Sequence, residues 1–286
     1  ALVQNGRWHE GVDALQTAAR LNPRNAETLN SLATVLQASN RLDEARALYR
    51  AALLVRPLDS LILANAAHVA LKCRDGQEAW VLLDRAARAE PANLDLRRRA
   101  AGVALSQERW LEASRHYQVL AANVEATADD HYRLGYSLAQ LTNYPAALVS
   151  LKRAVDLDAR HALAHVNLAV VLQRIGEIKS SLDHYRAACS LQPGQKPWRR
   201  DLAWLLATHP DPSFRNPEEA YTWAAPLVEG TAHPQWSDWD IMATVAAARN
   251  RPAEASAYMH KALESAPDEA VRIRLHQRRV QLAIEP

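Results

Sequence analysis

The sequence predicts an all-α fold, a right-handed solenoid of stacked antiparallel helix pairs. Small residues recur every 34 residues over most of the chain, and prolines end successive units at Pro23, Pro57 and Pro91. Alanine, leucine, glutamate and arginine, which favour helices, dominate the composition. The 286 residues include only 8 glycines, and no alternating run of strand length stands out. Period and composition therefore favour about eight helical units.

Several positions repeat in the same phase, and their chemistry explains why a unit contains two helices. Small residues let two helices approach closely, so each small-residue column predicts a helix crossing. A Tyr or Leu a few residues later fills the space beside the crossing. Proline cannot continue a helix and therefore ends the unit. The columns are Gly11, Ala45, Ala79, Ala113, Ala147 and Ser181; Leu15, Tyr49, Leu83, Tyr117, Leu151 and Tyr185; Ala18, Ala52, Ala86, Leu120, Ala154 and Ala188; and Ala33, Ala67, Ala101, Gly135, Ala169 and Ala203.

Apolar content and charge exclude several classes of protein. Apolar residues form 49% of the chain, which is enough for a continuous core and too much for a disordered chain. The formal charge is +2, so the protein has no strong overall electrostatic attraction for nucleic acid, and nucleic acid is not an expected partner. No apolar run approaches the ~20 residues that span a bilayer. Cys73 and Cys189 form no paired motif and are expected to be free thiols. Cysteine usage therefore does not decide between the cytoplasm and the periplasm as the compartment.

The repeated columns, with their small residues, aromatic position and closing proline, resemble the tetratricopeptide repeat. Segments 26–57 and 162–193 look like whole repeats. The resemblance covers nearly the whole chain and implies a single solenoid domain over residues 1–286. The implied divisions are a partial repeat at 1–25, full repeats at about 26–59, 60–93, 94–127, 128–161 and 162–195, an irregular repeat at 196–234, a repeat at 235–267 and a capping helix at 268–284.

The first repeat is incomplete. Residues 1–23 supply a second helix from Trp8 to Leu21 but at most the end of a first helix. A bare second helix would expose the face that its partner covers, whereas native solenoids cap their ends. We therefore expect the chain to be part of a longer protein, or to lack residues that precede Ala1.

The period also breaks near the C-terminus. After Leu206 the segment THPDPSFRNP intervenes, and the small-residue column resumes five residues late at Ala220. Its prolines predict an ordered loop, and the segment is similar to a variant repeat at the C-terminal end of bacterial arrays. Residues after Pro267 predict a capping helix that begins at Asp268 and has a polar face.

The resemblance also implies where a ligand binds. In this family the first helix of each repeat lines the concave face, and positions 2, 5, 6, 9, 12 and 13 of the repeat contact ligands. Arginine binds carboxylates through paired hydrogen bonds, tyrosine adds rigid contact area, and asparagine amides grip a peptide backbone. The predicted partner-binding residues are Asn30, Asn65, His68, Lys72, Arg98, Arg99, Tyr132, Arg133, Tyr136, Asn167, Arg174 and Trp204.

This set favours a peptide or protein partner that carries acidic residues. The alternative is a solvated basic stripe, partly neutralised by Glu27, Asp95, Asp129 and Asp201.

Two groove codes of the family can be compared with the sequence. Asn65 and Arg99 fit the carboxylate clamp that grips chaperone C-termini, but Thr34 and Asp95 do not, so a strict clamp is not predicted. The asparagine ladder of O-linked N-acetylglucosamine transferase arrays is also interrupted. Asn65 and Asn167 fit it, whereas Ser31, Arg99 and Arg133 do not.

No motif for catalysis or for a cofactor stands out, so we expect neither in this chain. His161 and His165 have a spacing that suits a metal ion, but no third ligand is evident and no metal site is predicted. Neither cysteine has a clear local histidine partner that would make it a nucleophile. The remaining cluster, Trp198, Trp204, Trp236 and Trp239, is interpreted as helix packing around the irregular repeat, with an aromatic contact patch as the alternative.

The sequence therefore predicts an interaction or scaffolding module that binds a peptide or protein in its groove. The alternative is a regulatory or substrate-recruiting arm of an enzyme whose catalytic domain lies outside this chain. Self-association through the ends of the solenoid is the third hypothesis.

Overall fold

The protein is helical throughout the part that the structure describes. The structure, a computed structural model, describes the backbone of residues 8–283 and the side chains of residues 10–283. These residues form sixteen α-helices and two short 3₁₀ turns, with no strand, which confirms the predicted all-α class of paired helices. The chain divides into two compact units, unit 1 at residues 1–143 and unit 2 at residues 144–286.

Unit 1 is a stack of consecutive helices in which each helix packs against the next along the chain. Short turns join the helices, so neighbours run antiparallel. The helices are α1 Trp8–Leu21, α2 Ala26–Ala38, α3 Leu42–Val55, α4 Ser60–Lys72, α5 Gly76–Ala89, α6 Leu94–Ser106, α7 Trp110–Ala121 and α8 Ala128–Gln140.

Unit 2 begins with the same arrangement and then becomes irregular, because α12 contacts both α13 and α14. Its helices are α9 Tyr144–Leu157, α10 Ala162–Arg174, α11 Ile178–Leu191, α12 Lys196–Thr208, α13 Pro217–Ala224, α14 Trp236–Ala248, α15 Pro252–Glu264 and α16 Glu269–Gln281, with 3₁₀ turns at Pro212–Phe214 and Ala225–Leu227. The first helices of the repeats are α2, α4, α6 and α8 in unit 1 and α10, α12 and α14 in unit 2.

A polar residue caps the start of each first helix in unit 1 at the same phase of the period. The side chains of Asn25, Asp59, Asn93 and Thr127 each accept a hydrogen bond from the backbone N–H three residues later, at 3.0–3.2 Å. In unit 2 the Nδ1 atom of His161 accepts the equivalent bond from Ala164 at 3.1 Å. Such a cap satisfies an otherwise unpaired donor and typically contributes about 1 kcal/mol.

The small-residue columns lie where helices cross. Ala45, Ala79 and Ala113 in unit 1 and Ala147 in unit 2 have no exposed surface. Ser181, which continues the column, is equally buried, and its hydroxyl donates to the Ala169 carbonyl at 2.7 Å. Burial of these small side chains lets the second helix of a repeat approach the first.

The turn between the two helices of a repeat contains a residue in the left-handed backbone region. In unit 1 this residue is Asn40, Arg74, Glu108 or Thr142, with φ between 54° and 59°. In unit 2 the position is filled by Gly176, with φ of 85°, and by Asn250, with φ of 58°. Only the glycine takes this conformation without steric cost, so the other residues hold the turn with some strain.

The irregular repeat departs from this pattern because Pro210 stands one period after Gly176. The proline ring fixes φ near about −65°, so the left-handed turn cannot form at this position. The chain instead makes the 3₁₀ turn Pro212–Phe214 before α13 begins.

The five extra residues are accommodated inside this turn. In the preceding repeat the turn closes with a bond from Glu177 N to Leu172 O at 2.9 Å. In the irregular repeat the equivalent bond runs from Asn216 N to Leu206 O at 2.8 Å, across a longer loop. Arg215 donates to two carbonyls of that loop, so the loop is ordered, as the prolines indicated.

The C-terminal helix α16 packs on α15, with Val271 and Leu275 buried. Asp268 caps it by accepting from Val271 N at 2.8 Å. Arg278 reaches back to α14, where Nε lies 3.4 Å from Asp240 Oδ1. Within residues 8–283, no helix is both long enough and apolar enough to cross a membrane.

Candidate functional site: the first-helix face

The predicted binding residues all lie on first helices, but in two separate units. Unit 1 contributes residues of α2, α4, α6 and α8, namely Asn30, Asn65, His68, Lys72, Arg98, Arg99, Tyr132, Arg133 and Tyr136. Unit 2 contributes Asn167 and Arg174 of α10 and Trp204 of α12. We call these surfaces the first-helix face of each unit.

The two predicted binding asparagines of unit 1 are hydrogen-bonded to each other. Asn65 Nδ2 donates to Asn30 Oδ1 at 3.1 Å, which joins successive first helices. This bond uses one donor of Asn65 and leaves its own carbonyl oxygen and a second N–H for other partners.

Arg98 is engaged within the protein. Its guanidinium donates to both carboxylate oxygens of Asp130 on α8, with Nη2 3.0 Å from Oδ2. Only 4% of the Asp130 side chain is exposed, and Thr127 donates to the same carboxylate. Burial opposes ionisation of Asp130, but these bonds outweigh it and lower its pKa. Arg98 therefore joins α6 to α8 rather than standing free for a ligand.

Arg133 is also neutralised locally. Its Nε lies 2.6 Å from Asp129 Oδ2, one helical turn earlier. Burial opposes its charge, but the neighbouring Tyr117 and Asp129 favour it, and its pKa is raised. Two of the arginines predicted to bind an acidic partner thus already have carboxylate partners.

The aromatic residues of α8 form a small cluster. Tyr136 packs edge-to-face against Trp110 of α7, with ring centroids 5.7 Å apart, and lies 6.3 Å from the Tyr132 ring. Both tyrosines are half-buried, so each presents only part of its ring to solvent.

Lys72 and Arg99 are the predicted binding cations of unit 1 that have no ion pair with a described residue. Among residues 10–283, no carboxylate lies within ion-pair distance of either. Lys72 is exposed, and Arg99 makes only a long bond, 3.4 Å, to the Ala64 carbonyl. His68, one turn before Lys72, is exposed as well.

In unit 2, Arg174 and Trp204 line one cavity of about 580 Å³. The cavity is completed by Val170, Gln173, Tyr185 and Asp201. Trp204 is 41% exposed, which is unusual for so large an apolar side chain. Within the described part of the chain, Arg174 has no carboxylate at ion-pair distance. Asn167 does not line this cavity, and its amide donates to Leu163 O of its own helix.

Tyr185, on the second helix α11, was not among the predicted binding residues. Its equivalent in unit 1, Tyr49, has its hydroxyl 3.0 Å from the Thr34 hydroxyl. Val170 stands four periods after Thr34 and has no hydroxyl to offer. The Tyr185 side chain is only 3% exposed, yet no described residue bonds its hydroxyl, which lies at the cavity. The sequence signal was Val170 at the position where the repeat at 26–59 has Thr34, combined with a tyrosine at both Tyr49 and Tyr185.

Asp201 was predicted only to neutralise the basic stripe. It lies next to Trp204 and borders a second cavity of about 330 Å³, which Trp236 and Asp240 also line. Although Asp201 is exposed, surrounding protein raises its pKa, and the attraction of Arg200 does not offset this. Among the described residues it has no hydrogen-bonded or ion-paired partner.

The two histidines with metal-like spacing, His161 and His165, each bond other residues. His165 Nδ1 lies 2.9 Å from Nδ1 of His184 on α11, and its Nε2 lies 3.1 Å from the Ala159 carbonyl. Since a carbonyl only accepts, His165 carries its proton on Nε2, and His184 donates from Nδ1. No group of three potential metal ligands occurs among the described residues.

The tryptophan cluster is mainly packing. Trp198, Trp236 and Trp239 are partly buried against the cores of unit 2, and Trp239 stacks on Tyr258 at 5.9 Å. Trp204 is the exception because it remains exposed between the two cavities. The Cys189 thiol is buried, which raises its pKa to about 11 and disfavours a reactive thiolate.

Comparison with known proteins agrees with the helical-repeat fold. A family model described as the tetratricopeptide repeat matches residues 1–60 and 132–196. Comparison with curated protein sequences gave no match.

The solved structures show the same fold. The chain is similar to YrrB, described as a TPR protein with an unusual peptide-binding site, at 23% identity and a TM-score of 0.56 over 65% of this chain and 96% of that one. It is similar to a tetratricopeptide repeat protein from Parabacteroides merdae ATCC 43184 at 16% identity and a TM-score of 0.55, over 89% of this chain and 98% of that one. It is also similar to MamA, at 12% identity and a TM-score of 0.51 over 60% and 94%.

Proposed function

Since the chain is a tetratricopeptide-repeat protein, we propose that it is a scaffold that binds a peptide or protein partner on its first-helix face. This repeat is typically a non-catalytic module for protein interaction. Fold alone does not choose a ligand, so the choice rests on the side chains of the face.

The observation that carries the proposal is the cavity of about 580 Å³ in unit 2. Arg174 and Trp204, from successive first helices, border it together, and both are exposed. An exposed tryptophan beside a cavity is typical of an anchor point for a partner. The Tyr185 hydroxyl offers a hydrogen bond that no described residue of the protein uses.

An acidic group of the partner would bind at Arg174. A guanidinium without a carboxylate partner gains more from a ligand carboxylate than one already paired. By the same argument, Lys72 and Arg99 are the residues of unit 1 that would bind acidic groups of a partner. Arg98 and Arg133 would not, because each already has a carboxylate partner.

The experiment is selection from a random peptide display library on the full chain, followed by titration of the selected synthetic peptides. We expect Trp204→Ala and Arg174→Glu each to weaken binding by about tenfold or more. Lys179→Glu, a charge reversal on the exposed side of α11, is the matched control and should bind as wild type does. Selected peptides that bind both variants like wild type would contradict the proposal.

A further inference from the structure

A second cavity borders Trp204 and shares Asp201 with the one beside Arg174, but its other charged groups are Arg200 and Asp240. Asp201 and Asp240 both border it, together with the indole rings of Trp204 and Trp236. Its volume of about 330 Å³ is enough for one long side chain. Burial raises the pKa of Asp240, as it does that of Asp201, so neither carboxylate is well stabilised in its charged form.

The cations nearest to this cavity already have partners. Arg200 also borders it, but its guanidinium bonds the Ser237 hydroxyl and lies 3.5 Å from Asp238 Oδ1. Lys196 lies on the same Asp238, with Nζ 3.3 Å from Oδ2.

The two carboxylates of the cavity differ. Asp240 is within ion-pair distance of Arg278, whose Nε lies 3.4 Å from Asp240 Oδ1. Asp201 is therefore the carboxylate of this cavity that lacks a partner among the described residues.

We propose that this second cavity binds a lysine or arginine side chain of the partner, held by Asp201 and stacked on Trp204. Charge complementarity is the argument: an unpaired carboxylate next to two aromatic faces binds an organic cation through an ion pair and cation–π contacts. The inference rests on the proposed function and adds a charge pattern to it. The partner places an acidic group at Arg174 and a basic side chain in the second cavity, where Asp201 binds it.

A site with one basic and one acidic contact selects different peptides from a uniformly basic surface. A purely acidic peptide would bring its charge toward Asp201 and lose affinity there. A peptide with both charges in the right order satisfies both groups, which gives specificity as well as affinity.

The test is a double-mutant cycle on the full chain with a library-selected synthetic peptide. One change replaces the basic residue of the peptide by norleucine, and the other is Asp201→Asn. Each change alone should weaken binding on the order of tenfold, and the two together no more than either alone, since both remove one contact. Asp156→Asn, at an exposed aspartate on the second helix α9 of unit 2, is the control and should leave affinity unchanged. Asp201→Asn is isosteric and removes no described bond, so it should fold, which circular dichroism checks.

The outcomes are distinct. If binding depends on Trp204 and Arg174 but not on the basic residue or on Asp201, the inference is wrong and the proposed function stands. If the effects of the two changes simply add, the basic residue binds elsewhere and the inference is again wrong. If binding does not depend on Trp204 at all, both the inference and the proposed function fail.

Discussion

Arg98 and Asp130 join two successive repeats through an ion pair whose carboxylate is almost wholly buried, with Nη2 3.0 Å from Oδ2. In the 34-residue register, Arg98 falls at a position where the sequence predicts a ligand contact. Its geometry gives it a structural role instead.

The first prediction follows from that pair. Arg98→Ala leaves the Asp130 carboxylate buried without its cation, so the free energy of unfolding should fall by about 1–3 kcal/mol. Denaturant unfolding measures this. Arg41→Ala, which removes an exposed pair with Glu44, is the control and should change the midpoint little. Equal effects of the two substitutions would show that the Arg98 pair contributes no more than a surface pair.

The second prediction concerns the left-handed turn. Gly176→Ala places a Cβ at φ of 85°, with no neighbouring atom within 4 Å, so only backbone strain opposes it. We expect a loss of about 1 kcal/mol in unfolding free energy. Gly194→Ala, which also meets no neighbour and has no positive φ, should be neutral or stabilising. If the two variants have the same midpoint, the turn does not impose the left-handed conformation in solution.

The third prediction concerns the helix crossings. Ala79 is fully buried, and Ala79→Leu should cost about 1–3 kcal/mol because the crossing helices must move apart. Ala147→Leu should cost a similar amount in unit 2. Ala47→Leu on the exposed side of α3 is the control. Unchanged denaturant midpoints for both buried variants would mean that these alanines do not lie at tight crossings.

The fourth prediction is a pH dependence at α10 and α11. Burial, the neighbouring His165 and Lys152 lower the pKa of His184, although Asp183 opposes the shift. A histidine whose pKa is lowered by folding contributes stability that is complete above its unfolded pKa of about 6.5 and is lost as the pH falls below that value. Wild type should therefore lose stability between about pH 7 and pH 5.

The matched variants for this test are His184→Gln and His260→Gln. His184→Gln should lose less stability on acidification than wild type, measured by denaturant midpoints at each pH. His260 lies in an exposed pair with Glu264, so its variant should keep the wild-type pH profile. His116 in unit 1, whose pKa is also lowered by burial, remains in all three proteins and sets the common background. The same profile in His184→Gln and wild type would contradict the prediction.

The fold was predictable because each helix carries its own signals. The small-residue columns, the polar caps such as Asn25 and Asp59, and the closing prolines all act locally and repeat in phase. The irregular loop was predictable for the same reason, since Pro210 excludes the left-handed turn.

The candidate binding site was less predictable because position on a helix does not decide which partner a side chain finds. Arg98 meets Asp130 from a helix 32 residues later, and Arg133 meets Asp129 on its own helix. The Tyr185 hydroxyl has no such partner because Val170 stands where the repeat at 26–59 has Thr34, and that difference matters only once the two helices are packed. Asp201 gained importance from a cavity that sequence patterns do not show.

The central claim is that a partner binds on the first-helix face, and hydrogen–deuterium exchange of the full chain with a library-selected peptide tests it most directly. Ligand binding suppresses local opening, so amides near the site should exchange more slowly. We expect slower amide exchange in α10, α12 and α14 of unit 2, with the largest decrease around Trp204. Slower exchange confined to the second helices α11, α13 and α15 would contradict the central claim.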